Sequence, residues 1–197
     1  MESGRTLMII VITILALTVV VMLILLIPMF IRFIKKFSSQ EIKKQKSIGT
    51  SSKIRLVNQL REAVEYLSKT KTGAIITIEN NDNIDHLRTD GVKIDANISA
   101  SLIITLFDKH TPLHDGAIVI RGNKIVYAST YYKITKRSID NKYGARHRAA
   151  MGISEVSDAT TIVVSEETGG VTIAKNSIFT PIKIAQFQEK LLFFLRD

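Results

Sequence analysis

The sequence predicts an α/β domain, a mixed β-sheet covered by helices, preceded by one N-terminal transmembrane helix. Three observations carry that expectation. Residues 6–31 hold no charged side chain. Beyond residue 72, short β-branched runs are interspersed with helix candidates. Two pairs of those runs flank turn signals and read as hairpins, and strands mixed with helices in this way call for a sheet with helical cover.

The uncharged run consists of Leu, Ile, Val and Met with a few small or hydroxyl residues. As a helix it reaches about 39 Å, more than the roughly 30 Å hydrocarbon core of a bilayer. A cleaved signal peptide is the competing reading, but its apolar region would be about 7–15 residues long and end at a small-x-small site, and neither feature is present. Arg5 stands almost alone before the run, whereas Arg32, Lys35, Lys36, Lys43, Lys44 and Lys46 follow it. The positive-inside rule then makes residues 1–5 a short extracytoplasmic N-terminus, 6–31 the span and everything after it cytoplasmic. Those bases serve topology alone or also hold anionic headgroups at about 1 kcal/mol each, and the sequence leaves both open.

Residues 32–53 read as a basic juxtamembrane linker, polar and without apolar periodicity from residue 38 onward. The soluble domain occupies 54–197. Ile54, Val57, Leu60, Val64 and Leu67 step by three and four, which predicts an amphipathic helix ending near Lys71 with Gly73 just beyond. Ala74–Glu79 is a β-branched strand. A helix over Ser99–Phe107 takes Asn97 or Ser99 as its cap. Ala117–Arg121 and Lys124–Tyr132 flank Gly122-Asn123, a two-residue hairpin of the type with glycine first. Arg146–Val156 is a helix, Thr160–Ser165 and Val171–Lys175 flank the turn-prone Glu166–Gly170, and a last helix runs over Ile182–Leu195 after Pro181.

Composition narrows the function classes. The 27 lysines and arginines against 18 acids give a net charge of +9, the profile of a partner for nucleic acid or anionic lipid. Of that excess, +8 lies in residues 32–71 and only +1 in residues 72–197, so no nucleic-acid partner is expected. The absence of cysteine excludes disulfides, thiolate catalysis and cysteine-ligated zinc or iron–sulfur sites. No P-loop, dinucleotide-binding glycine pattern or G-x-S-x-G elbow occurs.

Two clusters remain. In Thr111-Pro112-Leu113-His114-Asp115-Gly116-Ala117 an imidazole and a carboxylate sit on a Pro- and Gly-punctuated turn that opens a strand. It reads as a metal- or proton-handling turn, with Gly116 admitting a ligand close to the backbone, or as an ordinary turn with a capping aspartate. His110 and His114 share the spacing of a metal pair on a helix, but Pro112 between them breaks such a helix. In Gly144-Ala145-Arg146-His147-Arg148 three basic side chains stand at a helix start. Bases there oppose the helix dipole at about 0.3–1 kcal/mol each unless an anion compensates, and arginine forks match phosphate oxygens at two points. Together the clusters point to metal-assisted chemistry on a polyphosphate.

The residues Leu113–Ala117 (LHDGA), Gly144–Ala150 (GARHRAA), Gly152–Glu155 (GISE) and Val164–Gly169 (VSEETG) occur in the order and spacing of the diadenylate cyclase (DAC) domain, which the chain resembles from about Gly73 to Thr180. One span, a short helix and this domain resemble the single-span membrane diadenylate cyclases. The resemblance implies a DAC-type fold that condenses two ATP into cyclic di-AMP and two pyrophosphates with Mn2+ or Mg2+. It implies that Asp115 works at the attacking 3'-hydroxyl, that His114 and Asp115 hold the metal, and that Gly116 and Ala117 line the nucleotide site. It further implies that Arg146, His147 and Arg148 are catalytic residues holding the triphosphate, and that Ser165 and Glu167 occupy phosphate- and metal-side positions. Tyr131 falls where relatives stack an aromatic ring on adenine, with Tyr132 beside it. Two departures stand out: Ala145 lacks the threonine hydroxyl usual before the Arg-His-Arg triplet, and Tyr132-Lys133-Ile134-Thr135 replaces a common L-P-L-S. A catalytically weak nucleotide sensor of the same fold is therefore the alternative function. Each 3'-oxygen must attack the α-phosphorus of the other nucleotide, so the expected active form is a face-to-face homodimer anchored in the bilayer.

Overall fold

The computed structural model describes residues 4, 8, 10–12, 14–19, 22–24, 26–28 and 50–195. The chain divides into two units, Met1–Ser47 and Ile48–Asp197. In the first, one helix, α1 (Ile10–Pro28), is long and apolar enough to cross a membrane. Its 19 residues rise about 28 Å, close to the hydrocarbon thickness, and it lies inside the uncharged run. Arg5, the bases from Arg32 to Lys46 and residues 29–49 of the expected span end and linker lie outside the described residues.

The second unit is built on a mixed sheet. Its elements are α2 (Thr50–Lys69), β1 (Ala74–Ile78), β2 (Arg88–Thr89), β3 (Val92–Asn97), α3 (Ala100–Leu106), β4 (Ala117–Arg121), β5 (Lys124–Tyr132), α4 (Ala145–Val156), β6 (Thr160–Val164), β7 (Val171–Lys175), β8 (Ile178–Ile182), a 3-10 turn (Ile184–Gln186) and α5 (Phe187–Phe194). The strand order is β2-β5-β4-β1-β6-β7-β8, with β3 also on β5. β1 and β4 are parallel, and every other pairing is antiparallel.

Side chains alternate across each strand, so one apolar run feeds two cores. Ile76, Ile78, Ile118, Ile120 and Ile162 pack beneath α2, α3 and α5, where Leu60, Leu67, Ile103, Phe187 and Leu191 meet them. Ile75, Ala117, Val119 and Val163 face the other way, onto Ala150 and Ile153 of α4. The sheet is thus covered on both faces. Ser99 is the cap of α3, its hydroxyl accepting from the Leu102 amide at 3.2 Å, and the Ala100 amide donates to Gln59 of α2 at 2.8 Å.

Three features differ from expectation, each for a physical reason. Helix α2 begins at Thr50 rather than Ile54, because the Lys53 ammonium donates to the Leu195 carbonyl and ties this polar stretch to α5. The last helix is shorter than expected: Pro181 and Ile182 close β8, paired along the outer side of β7. An edge strand tolerates proline, since no neighbour needs its missing amide. Strands β2 and β3 are mostly exposed and polar, so they carry no apolar run to betray them. They form because β5 is long enough to pair both.

The strap after β5 lies against α4. The Thr135 amide donates to the Arg148 carbonyl at 3.1 Å and its hydroxyl to Glu155 at 2.6 Å. A Cβ on Gly152 would sit 2.0 Å from the Lys133 carbonyl oxygen. Gly152→Ala is therefore expected to cost at least about 3 kcal/mol, the upper range for overpacking. Gly144→Ala, with nothing within 4 Å of its new carbon, is expected to cost less than about 1 kcal/mol. Urea unfolding midpoints of the two variants check the contrast.

Candidate active site

The register brings separated sequence motifs to one end of the sheet. β1 pairs in parallel with β4 (Ile76 opposite Ile118) and antiparallel to β6 (Ala74 opposite Val164), while Ala117 lies opposite Thr130 of β5. The start of β1, the start of β4, the end of β5 and the end of β6 therefore share an edge. Adjacent strands are about 4.8 Å apart, so the Asp115 turn and the Ser165 turn stand about 10 Å from each other.

At the start of β4, Asp115 is exposed and its carboxylate accepts from the Gly116 amide at 2.9 Å and from the Tyr131 hydroxyl at 3.3 Å. Gly116 has a φ of +83°, and a Cβ there would meet the Thr130 carbonyl oxygen at 2.8 Å. Only glycine lets this turn press against β5. β5 answers with its own irregularity, Ser129 at a φ of 53° within a register shift, and the bulge re-aims the strand end. His114 Nδ1 lies 2.7 Å from the Thr111 carbonyl. That contact assigns the proton to Nδ1 and leaves Nε2 as an acceptor.

Helix α4 begins at Ala145, which is exposed, after a Gly144 cap without a side-chain bond and with no acid in the first turn. Its free amides and positive dipole end stand ready for an anion. Arg146 donates from Nη1 to Glu166 Oε2 at 2.8 Å, while its Nε is buried without an acceptor. The pair fills space left open by Gly73, where a Cβ would lie 2.9 Å from Nη1. Arg148 is half-buried, and its guanidinium has no partner among the described residues; the exposed Glu167 carboxylate likewise has none.

The turn carrying Glu166 and Glu167 is fixed at both ends. The Ser165 amide donates to Gly170, the Gly169 amide donates to Ser165, both at 2.9 Å, and Ser165 Oγ accepts from Thr168 at 3.4 Å. The Ser68 hydroxyl of α2 donates to the Gly169 carbonyl at 2.6 Å. A Cβ on Gly169 would lie 2.4 Å from the Ser68 carbonyl oxygen.

Three residues expected at the site stand differently from their neighbours. Tyr132 is buried in the α4-side core, and burial pushes its phenol well above the usual range. Strand alternation puts Tyr131 outside and Tyr132 inside, so Tyr131 alone is open to a ligand. Ala117 is also buried and borders the site through its backbone. The His147 ring is buried against Tyr143 and Phe179, with centroids at 5.0 and 6.0 Å, and burial holds its imidazole below the usual value. It packs the helix start rather than facing outward with Arg146. Glu166 escaped sequence reasoning because a run of two glutamates does not say which one meets an arginine.

The donor set fits a divalent ion only in part. No group of three or more His, Cys, Asp or Glu converges among the described residues. His114 Nε2 and the Asp115 carboxylate offer two donors, which suits ions that keep waters and phosphate oxygens in their shell.

These features define a mixed-sheet α/β domain with an anion-ready helix start and a carboxylate turn at one sheet end. The family model described as "DisA bacterial checkpoint controller nucleotide-binding" (DAC) matches residues 61–179, and the chain belongs to that family. It is 42% identical over 121 residues to the cyclic di-AMP synthase CdaA of Bacillus subtilis, covering 61% of this chain and 44% of that one. It is 38% identical over 139 residues to a diadenylate cyclase of Listeria monocytogenes, covering 70% of this chain and 51% of the relative. The chain thus spans about half the length of these two relatives. A diadenylate cyclase of Mycoplasma genitalium is 36% identical over 153 residues, 76% of each chain. The crystal structure of a double mutant of DacA from Staphylococcus aureus superposes with a TM-score of 0.69 at 38% identity, covering 73% of this chain and 97% of that one.

A pH dependence follows from His147. An unfolded imidazole protonates near pH 6.5 and the buried ring only at lower pH. The stability gained from the neutral ring is present above the ordinary value and is lost as pH falls toward the folded one. The urea midpoint should therefore drop between about pH 7.5 and pH 5, and His147→Phe should flatten part of that drop. An unchanged slope in the variant counts against the assignment.

Proposed function

We propose that the protein is a membrane-anchored diadenylate cyclase that condenses two ATP into cyclic di-AMP and two pyrophosphates. The observation that carries this reading is the register, which sets the Asp115 turn and the turn after β6 at the same end of the sheet, where Glu166 of that turn meets Arg146 of the α4 start, in a chain of this family. The names of the relatives supply the reaction class. In this reading helix α1 is the anchor, and the bases that follow it in sequence support a cytoplasmic domain through the positive-inside rule.

In the proposed reaction the 3'-oxygen of one ATP forms a bond to the α-phosphorus of the other, and the bond to the bridging pyrophosphate oxygen breaks. Asp115 accepts the hydroxyl proton, and its exposed carboxylate has a free lone pair for that purpose. Arg146 and Arg148, with the free amides of α4, hold the triphosphate against the charge developing on the leaving group. Gly116 allows close approach, Tyr131 stacks on the base, and Ser165 and Glu167 line the phosphate side. Mn2+ or Mg2+, held by His114 and Asp115, would supply charge neutralisation on the phosphates. A mononucleotide site cannot close a two-nucleotide ring, so two protomers act face to face, each positioning one ATP. Ala145, which offers no hydroxyl to a phosphate, motivates the second reading, a nucleotide sensor with weak turnover.

Incubation of the full chain with ATP and Mn2+ or Mg2+, followed by mass spectrometry, separates the two. Cyclic di-AMP is expected, and ATP binding without product favours the sensor. Asp115→Asn should lower product formation at least about 100-fold, the scale of a lost general base, while ATP binding persists. Turnover per protomer should rise with protein concentration until dimers saturate; a flat profile where monomers dominate contradicts the dimer mechanism.

A further inference from the structure

We propose that Glu166 is a positioning residue for Arg146, holding its guanidinium in the orientation that receives phosphate. This rests on the reading of Arg146 as a triphosphate ligand. Glu166 Oε2 takes one Nη1 hydrogen at 2.8 Å. The fork lies in a slot formed by three elements: the start of β1 at Gly73, the turn after β6 and the first turn of α4. A Cβ at position 73 would be 2.9 Å from Nη1, 3.0 Å from Cζ and 3.0 Å from Glu166 Oε2. The pair thus occupies the room that any residue but glycine would take.

The pairing is selective. Two glutamates are adjacent on the turn and two arginines lie on the helix start, yet only Glu166 and Arg146 meet. Glu167 and Arg148 stay free among the described residues. A cation at a helix N-terminus is repelled by the dipole, so a counter-charge is needed to keep Arg146 from swinging into solvent. The carboxylate occupies one of five N–H donors. The remaining donors, among them the buried Nε without an acceptor, are left for a ligand. A buried donor without an acceptor gains from any partner that reaches it.

Glu166 also brings negative charge near a site for phosphate. Its side chain is 53% exposed, so water screens that repulsion. Ordering a free arginine chain on binding is the larger loss, and the ion pair removes it in advance. The turn holding Glu166 is itself fixed through Ser165, Gly169 and Ser68.

The test uses the full chain and reads three quantities: the ATP dissociation constant by equilibrium dialysis, KM and kcat. Glu166→Gln should weaken ATP binding and raise KM about fivefold, in the range of a partly exposed charge pair, with kcat changed less than about twofold. Glu166→Asp should recover most of the affinity, and urea midpoints should match the parent. In an Arg146→Ala background, Glu166→Gln should add less than about 1.5-fold, since the two act as one unit. Unchanged or tighter ATP binding in Glu166→Gln overturns the proposal, as does an equal loss in both backgrounds. If Arg146→Ala alone keeps the parent's affinity, the phosphate reading itself fails and the proposal with it.

Discussion

The burial of β1 on both faces is the constraint on which the rest of the domain depends. All five of its residues are buried, so its side chains must satisfy one core toward α2, α3 and α5 and another toward α4. A one-residue slip would exchange the two sets and ruin both. That double commitment holds β1 in register with β4 on one side and β6 on the other. Because those neighbours run parallel and antiparallel respectively, the start of one and the end of the other meet at the start of β1. The candidate site is a by-product of that register: loops far apart in sequence are delivered to one end of the sheet by core packing that has no stake in the chemistry there.

At that edge local rules are broken together. Two arginines stand where the helix dipole disfavours cations, a glycine replaces any side chain at position 73, Gly116 is left-handed, and Arg146 Nε is buried without an acceptor. Away from this end several charged groups are paired with one another. At the opposite end of the sheet, for example, Arg121 donates to Glu79 and Asp85 at 2.9 Å, and Asp82 and Asp158 accept from each other's backbone amides. Several such conflicts gathered around one helix start and one turn are the kind of local inconsistency that binding sites show.

Much of this was legible in the residues. The β4–β5 hairpin matched at both strand boundaries because Gly122-Asn123 can adopt the turn its strands require. Helix α3 followed from its Ser99 cap, and α4 was expected over nearly the residues it occupies. The parts that escaped depend on partners distant in sequence. β2 and β3 exist because β5 is long, and β8 because the Asn176-Ser177 turn accepts positive φ in a sequence without the usual glycine. At the site, Asp115 and Arg146 announced themselves by motif. The inward turn of Tyr132 and the aromatic packing of His147 were set by strand alternation and by Phe179, a residue on the edge strand. The Glu166–Arg146 pair needed the register to reveal it.

The contact between Ser68 and Gly169 joins the last turn of α2 to the turn that carries Glu166 and Glu167. Backbone lies against backbone there, with no side chain at position 169 to act as a cushion. Contacts between side chains can absorb a small displacement by hopping between rotamers, but here there is little such slack. The placement of the two carboxylates is therefore inherited from α2 with almost no tolerance. In engineering terms the joint is a rigid coupling, and the helix that leads into the domain sets the zero point from which the site's geometry is measured.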